Sequence, residues 1–201
     1  MMQKVDVVAF DFDGTLSAGE SSIEFVKYCM ARNPHTWLYL PLMAVAGVVR
    51  WVRPAGLWWR HAMRRFMTAD MVKKYAPEFV KKYKMERFGW AAERVAAERA
   101  AGRKVLLISA GPDYLIEPLT RDMKFDAVLC SRMDAARPWK IDFLCWGPAK
   151  VVAMDEWARK HKYIPRLVRA YSDSRSDLPM MEIADEQVWI DKKTGLRKQT
   201  W

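Results

Sequence analysis

The sequence predicts an α/β protein with a mainly parallel central sheet and an all-helical cap inserted after the first strand. Three observations lead there. Short β-branched runs stop abruptly at charged residues, as strands buried on both faces do. Helical patterns separate the later runs, and strands alternating with helices build parallel sheets. Between the first run and the second lie roughly 90 residues, far more than a crossover needs.

The first strand is KVDVVAF at 4–10. The insertion then reads as helix throughout, in segments 21–32, 36–51, 56–67, 69–83 and 88–101. KVLLIS at 104–109, FDAVLC at 125–130 and LVRAY at 167–171 are the next strands, with QVWI at 187–190 a weaker fifth. Helical patterns cover 113–123, 148–160 and 176–183. Between 132 and 143, Pro138 and an alternating pattern point to a β-hairpin or an irregular excursion. An insertion after the first strand sits over the carboxyl ends of the strands, where open α/β sheets bind ligands. Residues 1–16 and 103–201 are therefore expected to form a catalytic core, and 17–102 a helical cap.

A chain of 201 residues, 51% hydrophobic, can bury one core plus a modest insertion and is not expected to be disordered. Its net charge of +10 is unevenly placed. Residues 50–104 hold fifteen Lys/Arg against five Asp/Glu, while the flanking stretches nearly balance. That block should face something anionic. Cys29, Cys130 and Cys145 lack metal-ligand spacing, and no secretory leader is visible at MMQKVDVVAFDFDG. Both features lead us to expect reduced thiols and a cytoplasmic setting.

The first strand ends in Asp11-Phe12-Asp13-Gly14-Thr15. Carboxylates two residues apart at a strand end can point to one side. Adjacent anions stay ionised together only around a cation. Magnesium meets that need, because it is hard and binds through one or two carboxylates plus a substrate phosphate. Alone, Asp-x-Asp is an ordinary acidic turn. The second strand, however, ends in Ser109-Ala110-Gly111, a hydroxyl and backbone N–H groups suited to a phosphate. Lys150 stands in the first turn of a helix, where a cation opposes the dipole and so calls for another reason. The fourth strand leads into Asp173 and Asp177, further oxygen ligands or water-positioning groups.

With these four pieces in order, the chain resembles the haloacid dehalogenase-type phosphohydrolases, a superfamily with a Rossmannoid core. The insertion after the first motif is similar to that of the phosphoserine phosphatase-like subfamily. The resemblance implies that Asp11 attacks phosphorus and that Asp13 serves as acid, then base. It implies that Ser109, Ala110, Gly111 and Lys150 hold the phosphoryl group. Magnesium would be bound by Asp11, Asp173 and Asp13 through its carbonyl, with Asp177 behind them. Asp13 also favours phosphate transfer over carbon–halogen hydrolysis.

Substrate choice falls to the cap. Glu20 lies at the spacing from Asp11 where phosphoserine phosphatases hold the substrate ammonium, although a carboxylate beside Ser21 and Ser22 also suits a helix N-terminus. Residues 33–49 contain no Asp, Glu, Lys or Arg and are followed by Arg50, Arg53, Trp58, Trp59, Arg60, Arg64 and Arg65. Seventeen residues rise only about 25 Å as a helix, short of a bilayer core of roughly 30 Å. A re-entrant or interfacial segment fits better, with Trp and Arg at the headgroups of an anionic membrane. This segment, Cys145-Trp-Gly-x-x-Lys150, Tyr171-Ser-Asp-Ser and a Gly195-Leu196 tail after the last strand resemble the C-type phosphatidylglycerophosphate phosphatases. The expected substrate is therefore a lipid or membrane-proximal phosphomonoester, with Arg60 and Arg64 on the substrate side and the enzyme peripheral to the membrane's inner face. A soluble phosphoserine-like ester is the alternative. A nucleic-acid-binding module would use the basic cap without needing Asp11. A non-catalytic scaffold would be expected to have lost a motif carboxylate, and none is missing.

Overall fold

The computed structural model describes residues 2–33, 68–83, 86–138 and 140–198. The expected helices at 36–51 and 56–67, with Arg60 and Arg64, lie outside the described residues.

Strand β1 (Gln3–Phe10) shows why a central parallel strand needs continuous apolar sequence. Val8 and Phe10 face one core cluster, Val7 and Ala9 the other, and all four are fully buried. Period-two alternation thus buries both faces. On the Phe10 side lie α1 (Ser21–Arg32), α2 (Ala69–Tyr83), α3 (Trp90–Ala100) and α4 (Asp113–Thr120). On the Ala9 side lie α5 (Pro148–Lys160) and α6 (Leu178–Glu182). At about 25 cal/mol per Å² of apolar area, burying each large side chain contributes on the order of 1.5–3 kcal/mol.

The remaining strands are β2 (Lys104–Pro112), β3 (Ala127–Met133), β4 (Ile141–Phe143), β5 (Tyr163–Ser172) and β6 (Glu186–Trp189). They lie in the order β4-β3-β2-β1-β5-β6, and β4 alone runs antiparallel to its neighbour. The β3–β4 pairing, Arg132 with Phe143 and Met133 with Ile141, is the hairpin that Pro138 and the alternating residues foreshadow. The chain goes out from β1 through β2 to β3, then returns to β1's other edge through β5. That reversal opens a crevice at the carboxyl end of β1. Phe10, the last residue of β1, pairs with Leu107 on one side and Tyr171 on the other, so β1 and β5 end nearly level while β2 runs on to Pro112.

Boundaries differ from the sequence reading where the apolar signal fails. Strand β2 extends to Pro112, because Ser109 pairs with Cys130 and Pro112 with Ser131. Ala110 and Gly111 are the extra residues of a bulge. Strand β5 begins at Tyr163, its amino half hidden in sequence by Pro165 and Arg166. The helix expected at 176–183 is shortened: Arg175–Asp177 forms a 3-10 turn, and Pro179 sits in the first turn of α6. Helix α3 packs on β2, the strand that it leads into.

Candidate active site

Asp11 leaves β1 still tied to the sheet, its N–H donating to the Tyr171 carbonyl at 3.0 Å. The chain then turns sharply, and the N–H groups of Thr15, Leu16 and Ser17 all reach the Phe12 carbonyl. Gly14 has φ +77°, and a Cβ there would lie 2.4 Å from Asp173 Oδ2. Only glycine satisfies both constraints. Thr15 completes the joint: its hydroxyl accepts from the Asp173 N–H at 3.0 Å and donates to Asp173 Oδ1 at 3.4 Å. The end of β5 is thereby fixed over the turn that follows β1.

Lys150, 2% exposed, donates to Asp11 Oδ1 and to Asp177 Oδ2, each at 2.7 Å. Ser172 also donates to Asp177 Oδ2, at 2.8 Å. These contacts explain a cation in the first turn of α5: two buried carboxylates outweigh an unfavourable dipole. Burial alone would depress the Lys150 ammonium, but Asp11 and Asp177 push it up, so it stays protonated. Burial raises the Asp11 carboxyl to about 8; Lys150 opposes this, while Asp177 and Asp173 add to it. Burial also raises Asp173, helped by Glu20 and Asp177 against its own backbone N–H and Lys192.

Asp13 is held by the start of α1. Its carboxylate accepts from the Ser21 N–H at 2.7 Å and the Ser21 hydroxyl at 3.0 Å, at the N-terminus of α1. An unsatisfied helix N–H and the positive end of the dipole account for this placement.

Ser109 is buried, and its hydroxyl accepts from the Gly111 N–H at 3.1 Å, which draws the bulge into a loop. Ser131 pins that loop: its hydroxyl donates to the Ala110 carbonyl at 2.8 Å and accepts from the Cys145 N–H at 3.0 Å. The phosphate-binding candidates and the lead-in to Lys150 are thus tied through β3. Glu20 caps α1 by position without a side-chain cap bond, and its charge is felt at Asp173. Thr15, Ser21 and Ser172 were quoted in the sequence only as parts of motifs, without a role, and Ser131 was not singled out. Ser131 is a small polar residue within a strand, with no local signal.

Among the described residues, no three His, Cys, Asp or Glu side chains converge as a metal-holding group. The fit to a hard divalent cation rests instead on two carboxylates and a turn. Asp11 and Asp173 are both raised by burial and by other carboxylates, a neighbourhood short of positive charge even with Lys150 in place. Gly14 lets Asp173 lie against the turn that carries the Asp13 carbonyl. Oxygen donors of this kind suit magnesium.

A probable phosphatase of Mycobacterium tuberculosis is 32% identical over 115 residues, covering 56% of this chain and 40% of that protein. A phosphoserine phosphatase of Albidiferax ferrireducens is 32% identical over 119 residues, covering 54% of this chain and 49% of that protein. The chain thus spans less than half the length of either relative. Among solved structures, a phosphoserine phosphatase in apo form superposes with TM-score 0.65 at 14% identity, covering 93% of this chain and 86% of that one, which shows a shared fold. The family model for haloacid dehalogenase-like hydrolases matches residues 8–182, from β1 through α6. The chain accordingly belongs to the haloacid dehalogenase-like hydrolase family.

Proposed function

We propose that the chain is a magnesium-dependent phosphomonoesterase in which Asp11 takes the phosphoryl group as a covalent aspartyl-phosphate. The observation that carries this reading is the buried Lys150 ammonium held between Asp11 and Asp177. The two sequence relatives carry phosphatase names, which supports the same class.

Lys150 holds Asp11 Oδ1, so the carboxylate is fixed in orientation and its other oxygen can attack phosphorus in line. As the Asp11–phosphorus bond forms, the ester bond breaks, and Asp13 delivers a proton to the leaving oxygen. Asp13 then takes a proton from the water that displaces Asp11, releasing phosphate and restoring both carboxyl groups. The Ser21 N–H and hydroxyl keep Asp13 in one orientation through both half-reactions. Ser109, the bulged backbone of Ala110 and Gly111, and Lys150 receive the phosphoryl oxygens. Magnesium, held by Asp11, Asp173 and the Asp13 carbonyl, would neutralise the charge shared by nucleophile and phosphate. The cap assignment, 17–102, belongs to the same proposal.

For the substrate we favour a lipid or membrane-proximal phosphomonoester such as phosphatidylglycerophosphate, supported by the apolar stretch 33–49 and its Arg/Trp flank. A small soluble ester is the second reading, favoured by Glu20, whose charge is felt at Asp173, and by the Albidiferax relative. A phosphate-release screen with phosphatidylglycerophosphate, phosphoserine and a sugar phosphate decides between them. Turnover led by the lipid supports the first reading and turnover led by phosphoserine the second. Failure with all three and with a generic aryl phosphate overturns the phosphatase assignment.

A further inference from the structure

The segment after β6 forms a loop at the rim of the crevice. Strand β6 runs parallel to β5, with Trp189 opposite Ser172, and the Ile190 N–H donates to the Ser172 carbonyl at 2.9 Å. The chain therefore leaves the sheet beside Asp173. It comes back as a tight hairpin: Ile190 bridges Arg197, and the Lys198 N–H reaches the Trp189 carbonyl at 2.8 Å. Asp191 shapes the tip, one carboxylate oxygen accepting from the N–H groups of Lys193 and Thr194 at 2.9 and 3.0 Å. The Gly195 N–H closes onto the Asp191 carbonyl at 2.7 Å.

A second set of contacts clamps the loop from the far side. The Gly195 carbonyl accepts from Trp90 Nε1 at 2.7 Å, and Phe88 fills the space where a Gly195 Cβ would stand. Residues 88–90 are the return from the insertion, so the loop is fixed between the sheet and that return. Lys192 and Lys193 at its tip are exposed, and neither forms an ion pair among the described residues. The charge of Lys192 is felt at Asp173. The loop also lies beyond 8–182, the part that the family model matches.

We propose that this loop presents Lys192 to a second anionic group on the phosphomonoester substrate, a carboxylate or a phosphodiester. The inference rests on the phosphatase reading and deepens it. The chemistry is charge recognition: the phosphoryl group occupies the Asp11 side, and an ammonium on the rim selects an oxyanion on the leaving group. Because the loop is fixed before substrate arrives, little ordering cost is added on binding.

The test measures kcat/KM for phenyl phosphate, carboxyphenyl phosphates and a phenyl phosphate bearing a methyl phosphodiester. The readout is the ratio of each charged substrate to phenyl phosphate. Lys192→Gln is expected to lower that ratio about three- to fivefold, the scale of an exposed ion pair. Lys192→Arg should hold it within about twofold, and the more affected charged substrate identifies the preferred oxyanion. Lys160→Gln, at the opposite end of α5, controls for net charge. An unchanged ratio in Lys192→Gln, an equal fall in Lys160→Gln, or a fall on all substrates alike would overturn the inference while leaving the phosphatase reading intact. A wild type that turns over none of the compounds would overturn the phosphatase reading itself.

Discussion

Asp11 keeps a raised carboxyl although Lys150 lies 2.7 Å away, since burial, Asp177 and Asp173 outweigh it. Its ordinary value is 3.8 and its value in the fold about 8. Between those limits the native state holds a proton that the unfolded chain releases, so this group makes stability fall as pH rises. In chelator, the wild type should therefore show a lower Tm at pH 8 than at pH 5.5 on this account. Asp11→Asn should flatten the slope, and magnesium should raise the wild-type Tm more at pH 8, where Asp11 must ionise to bind it. Scanning calorimetry of both proteins, with and without the ion, measures this; parallel slopes would rule the coupling out. The same variant should lose turnover of an aryl phosphate by on the order of a thousandfold or more while its fold survives. Retained turnover, with deamidation and contamination excluded, would remove Asp11 as nucleophile. Asp11, Lys150, Asp173 and Asp177 were legible in the sequence because charge at a strand end or in a helix's first turn needs a reason. Thr15 bonding to Asp173 across 158 residues was not legible, since a threonine in a turn is commonplace until the fold supplies its partner. The bonds from Ser21 that hold Asp13 were not legible either, because they depend on where α1 starts.

The elements carry the site through two turns, one after β1 and one in β2. The first depends on Gly14. Alanine there would meet a left-handed backbone costing about 1–2 kcal/mol and a carboxylate 2.4 Å from its methyl. Gly14→Ala is thus expected to lower Tm by several degrees and to displace Asp173. Its magnesium affinity, followed by calorimetric titration, should fall at least tenfold, whereas Gly102→Ala, with φ +78° but open space around it, should keep wild-type affinity. Equal affinity in both variants would mean that Asp173 is not held through this turn. Helices α1, α2 and α5 have the bounds expected from the sequence, because caps, periodicity and Pro148 mark their ends. The β2 bulge left no such mark. Its length depends on where Ser131 and Pro112 meet across the sheet, and pairing between strands is not written in either strand alone.

Across the whole molecule, charge and packing divide differently from the motifs. Phe25, Tyr28, Phe79 and Tyr83 of α1 and α2 belong to the same buried cluster as Phe10 and Tyr171 of the sheet. The described part of the insertion is therefore cemented to the core by aromatic contacts, such as Phe25 with Tyr114 of α4 at 6.1 Å and Trp90 with Tyr171 of β5 at 6.4 Å, which charge patterning could not foretell. The excess of positive charge, however, lies at 50–104, and Arg50, Arg53, Arg60 and Arg64 fall outside the described residues. Among the described residues, no helix is long and apolar enough to cross a membrane. If the basic block meets an anionic leaflet, each Lys or Arg near the surface contributes about 1 kcal/mol. Four such residues then amount to about 4 kcal/mol, nearly a thousandfold in partitioning. The protein should co-sediment with vesicles rich in anionic lipid at low salt and not with neutral vesicles. Neutralising the four arginines should release most of it, and so should raising salt until the screening length falls well below about 10 Å. Turnover of a soluble aryl phosphate should survive that substitution in Arg50 and Arg53, which have no part in the proposed site. No sedimentation at low salt would put the soluble ester ahead, because the stretch at 33–49 would then be accounted for as cap interior.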